Sequence, residues 1–71
     1  MTLEEIKVKW NENLRRIKKA EKTAEDKPEV FMKFMSEFHR ICRVMSNLMY
    51  EYKCITGEEI AEQYFEREFE I

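Results

Sequence analysis

The sequence predicts an all-α protein: an antiparallel helical hairpin plus a short third helix, dimerising into a helical bundle. Three observations carry this. The 71 residues include one Gly and one Pro, too little turn material for a multi-stranded sheet. Apolar side chains recur at steps of three and four, the helical period. Three capping signatures of the S/T/D-x-x-E kind each precede such a run. Charged residues are 39% and apolar ones 44%, which is too apolar for a disordered chain and suits helices with solvated faces. The length predicts a single helical domain over residues 1–71.

The first helix is expected over about residues 3–25. Thr2-Leu3-Glu4-Glu5 reads as a capping box, with Thr2 as N-cap and Glu5 reaching back. Leu3, Ile6, Trp10, Leu14 and Ile17 form a narrow apolar stripe, which Ala20 and Ala24 extend. The second helix is expected over about residues 27–55. Asp26 would cap it, and Pro28 suits its first turn. Phe31, Phe34, Phe38, Ile41, Met45, Leu48, Tyr52 and Ile55 then alternate at three and four. Ser46 and Asn47 are its weakest helix formers. Gly57 is placed to end it in the left-handed conformation. Thr56 and Glu59 supply a third capping box for a helix over about residues 57–70, with Ile60, Ala61, Tyr64, Phe65 and Phe69 facing inward.

A partner is expected from size. At 1.5 Å per residue the second helix would be about 43 Å long. A compact globule of this length has a radius of gyration of only about 11 Å. Either the helix kinks near Ser46 and Asn47, or the chain is elongated and leaves apolar surface uncovered. Residues 30–55 are mostly apolar and residues 3–24 mostly polar, so the first helix cannot cover the second. The expected interface, with a second copy or another protein, comprises Phe31, Met32, Met35, Phe38, Cys42, Met45, Met49 and Tyr52. Methionines on such a face also suit an adaptable groove for a foreign helix.

Charge is unevenly spread. Residues 7–22 hold seven basic side chains against two acidic ones, whereas residues 55–71 hold six Glu against Arg67 alone. Lys9, Arg15, Arg16, Lys18, Lys19 and Lys22 could follow a phosphate backbone. The simpler expectation is a solvated face that attracts the acidic third segment. The formal net charge of −2 argues against a dedicated DNA binder. A helix-turn-helix reader would need a recognition helix soon after residues 55–63, and the chain stays acidic there.

Chemistry has little to stand on. No nucleophile elbow, Gly-rich phosphate loop or H-E-x-x-H occurs. Ser36 stands three residues before His39, so the E-x-x-H of di-iron bundles is absent. His39 and Cys42 could form half of a zinc site across a two-fold axis, but the repeated C-x-x-C of zinc modules is missing. No enzyme activity, cofactor or metal is expected. Cys42 and Cys54 lie about 18 Å apart along one helix, too far for a disulfide. Glu4 and Glu5 occupy the place of a secretory signal's basic start, so the chain is expected in the cytoplasm with reduced thiols and no membrane span. The expected function is a small non-enzymatic protein–protein interaction module (regulator, adaptor or inhibitor) acting as a helical homodimer. The alternatives are a nucleic-acid accessory protein using the basic face, or a structural unit that assembles only with itself.

Overall fold

The computed structural model describes residues 1–71. It contains helix α1 (Leu3–Asp26), helix α2 (Pro28–Lys33) and helix α3 (Met35–Thr56), followed by a four-residue 3-10 turn at Glu62–Phe65. There is no strand, and the two long helices pack together as a hairpin. The first helix starts where its cap places it: the Glu5 N–H donates to Thr2 Oγ1 at 3.2 Å. Glu5 reaches back as far as the Thr2 hydroxyl, which donates to its carboxylate at 3.1 Å.

The second expected helix is in two pieces. The break falls at Phe34 (φ −107°, ψ 17°), and neither Ser46 nor Asn47 interrupts the helix. The Phe34 N–H turns to the Phe31 carbonyl at 3.0 Å, a tighter i→i−3 bond, and the α-helical ladder resumes with Phe38 N–H to the Phe34 carbonyl. Ser46 leaves α3 intact because its hydroxyl donates to the Cys42 carbonyl one turn back. Asp26 does not cap α2. The Lys27 N–H still bonds the Thr23 carbonyl at 2.7 Å, so α1 runs through Asp26 and Lys27 takes the cap position with no side-chain bond. Pro28 opens α2 as expected.

Gly57 closes α3 at φ 76°, with its N–H on the Lys53 carbonyl at 2.8 Å. A Cβ there would meet nothing within 4 Å, so the requirement for glycine is purely one of backbone conformation. Gly57→Ala should therefore cost about 1 kcal/mol, lowering the melting temperature by roughly 4–8 °C in a domain of this size. An unchanged thermal midpoint would contradict that account.

The third expected helix does not form. Beyond Gly57 the chain is an irregular strap with only the 3-10 turn at Glu62–Phe65. Glu58, Glu62, Glu66 and Glu70 are spaced four apart and would line one face of an α-helix, where like charges repel. Thr56, expected as a cap, instead makes a local turn, its Oγ1 accepting from Glu58 N–H at 3.1 Å.

The core is eccentric. Ile6, Trp10 and Leu14 of α1 pack with Ile41, Met45 and Leu48 of α3, and Ile60 and Phe69 of the strap complete the cluster. Ile17, Tyr52 and Tyr64 pack against its edge. Tyr64 and Phe69 therefore face inward as expected, whereas Ala61 is exposed and Phe65 only half-covered. No residue between Leu14 and Ile41 is buried. The molecule measures 40 × 20 × 17 Å with a radius of gyration of 13.1 Å, so it is the elongated alternative that is realised.

Candidate interaction surfaces

Two surfaces lie on opposite sides of this imbalance: the strap laid along α1, and the uncovered end of the hairpin around α2. The strap is gripped by its backbone. Asn11, almost fully buried, donates its amide N–H to the Phe69 carbonyl at 3.1 Å and accepts the Phe69 N–H at 2.8 Å. The carboxamide thus does for Phe69 what a neighbouring β-strand would do. Trp10, with no exposed surface, donates its indole N–H to the Tyr64 carbonyl at 2.8 Å and meets the Phe65 ring edge to face at a centroid distance of 5.3 Å. Tyr64 stacks on Phe69 at 4.0 Å, and the Lys7 ammonium sits 5.6 Å from the Phe69 ring centroid.

Opposite charge reinforces this seating, as the uneven distribution predicts. Arg15 pairs with Glu68, and the Lys18 ammonium donates to the Glu66 carbonyl. These contacts are exposed and contribute at most about 1 kcal/mol each. The buried amide clamp and the indole hydrogen bond are the stronger hold, because breaking either leaves polar groups short of a partner. Of the basic residues, Arg15 and Lys18 are thus engaged by the strap, whereas Lys9, Arg16, Lys19 and Lys22 are exposed and form no ion pair.

The other surface is apolar. No residue of α2 is buried, although three of its six side chains are Val30, Phe31 and Met32. Met32 is 70% exposed and Phe34, at the break, 60%. Where α1, α2 and α3 meet lies an open groove of about 370 Å³. Ala20, Phe31, Phe38 and Ile41 line its apolar interior, and the Phe31 and Phe38 rings meet edge to face at 5.4 Å. Arg16 and Lys19 border it from α1, while Phe34 and Glu37 border it from the break and α3. A cavity of this size can take one or two large side chains and lies at the small end of ligand pockets.

The residues expected at an interface divide accordingly. Met32, Met35 and Met49 are exposed, and Phe31, Phe38, Cys42 and Tyr52 are half-covered. Met45 is a correction: at 6% exposure it belongs to the core of the single chain and offers no surface. Its position on the Ile41–Leu48 row, facing α1, explains why. Cys42 and Cys54 are free thiols, and no three His, Cys, Asp or Glu side chains converge as a metal site would require. The Tyr50 hydroxyl titrates above its ordinary value, chiefly through a hydrogen bond to Cys54 one turn on and secondarily through the charge that thiol can carry. No helix is long and apolar enough to cross a membrane.

No known family, curated protein or solved structure matches this chain. Its functional reading rests on the two surfaces themselves.

Sequence reasoning found the apolar face but missed the strap's anchor. Asn11 lies in α1 beside Trp10, and nothing in its spacing distinguishes it from a solvated polar residue. The one available signal is the set of three aromatic residues, Tyr64, Phe65 and Phe69, in a mostly acidic segment.

Proposed function

We propose that this protein is a small non-enzymatic interaction module that works by self-association, as a helical homodimer, through the uncovered end of its hairpin. The observation that carries the reading is α2, a helix with three apolar side chains and none of them buried. An isolated six-residue helix is not stable in water, so α2 draws its order from packing on one side while its other side stays bare. Exposed apolar clusters of this kind characterise protein contacts. The reading also accounts for an elongated shape in so short a chain, because a second copy would shelter what one copy leaves open.

The nucleic-acid alternative is less well supported. A phosphate backbone would compete with the Glu68 carboxylate for Arg15 and with the Glu66 backbone carbonyl for Lys18, because the strap lies against the same face.

The test is sedimentation equilibrium over a range of protein concentrations, for the native chain and for Met32→Glu. Met32 is exposed, so the substitution should change stability by no more than about 0.5 kcal/mol. It should nevertheless abolish a native dimer present at tens of micromolar, because a carboxylate would be buried unpaired in the contact. Identical association by the two proteins would remove the Met32 side of α2 from the interface.

A further inference from the structure

The border of the groove carries more information than its apolar interior. Arg16 and Lys19 stand on the α1 side, and Glu37 stands on the α3 side. A uniformly acidic partner would meet Glu37, and a uniformly basic one would meet Arg16 and Lys19. A border split in this way is matched by its own image under a two-fold rotation about an axis along the groove, which sets each side against the other. The lip of each groove also presents Phe34, 60% exposed, a side chain small enough to enter a space of about 370 Å³. Glu37 is held only loosely within its own chain, by an exposed contact to Arg40 at 3.8 Å, so it can turn toward a new cation at small cost.

We infer that two copies of this chain dock groove to groove about a two-fold axis, each inserting Phe34 between α1 and α3 of the other and setting Glu37 against the other's Arg16 and Lys19. This rests on the self-association reading above and names the occupant of the groove. The contact is isologous, so one set of opposite charges, Glu37 against Arg16 and Lys19, is used twice.

Charge reversal tests the arrangement. Glu37→Lys would set like charges against each other at both edges, as would Arg16→Glu combined with Lys19→Glu. Each variant alone should associate at least about tenfold more weakly than the native chain, since like charges facing across an interface cost several kcal/mol. Mixed in equal amounts, the two variants should form a heterodimer about as tight as the native homodimer. The substituted positions are exposed, and circular dichroism should show native helix content. Were a variant to unfold, the same point is read from the native chain, whose dissociation constant should rise with salt if these pairs contribute. Several outcomes overturn the inference. A native dimer indifferent to both reversals would leave self-association standing but place it on another face. Weakened variants that fail to restore each other when mixed would reject the Glu37 pairing, as would salt-independent association. A strictly monomeric native chain would reject both the self-association reading and this one, and would assign the groove to a different partner.

Discussion

Trp10→Ala should leave the chain unfolded at room temperature. Trp10 is fully buried, stands at the centre of the core cluster, and holds the strap through its indole N–H. Truncating a buried Trp to Ala costs about 3–5 kcal/mol. A single core in a domain this small rarely supplies more than about 3–5 kcal/mol in total, so the loss consumes the whole margin. Far-ultraviolet circular dichroism in buffer should show the helical signal collapsing, and no cooperative melt should remain. Trp10→Phe separates the two contributions. It keeps most of the ring packing but loses the donor to Tyr64, so it should fold with a reduction of about 1–3 kcal/mol, part of it lost volume and part the unmade hydrogen bond. A Trp10→Ala protein that melts cooperatively within a few degrees of the native chain would show that the core has been misplaced.

The second large effect is expected at Asn11. Asn11→Ala removes both hydrogen bonds of the amide clamp and leaves the N–H and carbonyl of Phe69 to find water beneath the strap. The expected loss is about 1–3 kcal/mol. Its distribution matters more than its size. Amide protons of residues 58–71 should exchange faster, while those in the middle of α1 and α3 keep most of their protection, because the hairpin retains six of the eight core side chains. Uniform loss of protection along the chain would mean that strap and hairpin form one cooperative unit. Asn11→Asp should be worse than Ala: the carboxylate can still accept from Phe69 N–H, but it sets a buried negative charge against the Phe69 carbonyl.

These two residues mark the boundary of what the sequence made legible. The extent of α1 and the close of α3 follow from local chemistry: the Thr2 hydroxyl at one end and the freedom of Gly57 at the other. The core rows on α1 and α3 follow from period alone. The interruption at Phe34 does not, because the three-four alternation continues through it without a Gly or Pro. The break is tertiary in origin. Pro28 starts a new helix one residue after α1 ends, and the chain must change direction before it can run back along α1. The strap departs from the expected helix for the opposite reason. Its local cap signature is real, but the row of Glu at four-residue spacing opposes a helix, and the partners that hold its irregular backbone lie more than fifty residues away. Among the surface residues, period identified the apolar face but could not assign Met45 to the interior or Met32 to the exterior, because that depends on where α1 lies across the row.

The amide clamp also has a bearing on how the molecule is made. Asn11 meets a residue 58 positions further along the chain, and Trp10 one 54 positions further. Closing so wide a loop carries an entropic cost that only the finished contact repays. Until the strap docks, Trp10 lacks its Tyr64 and Phe65 partners, and its ring is open to chaperones or to other copies of the chain.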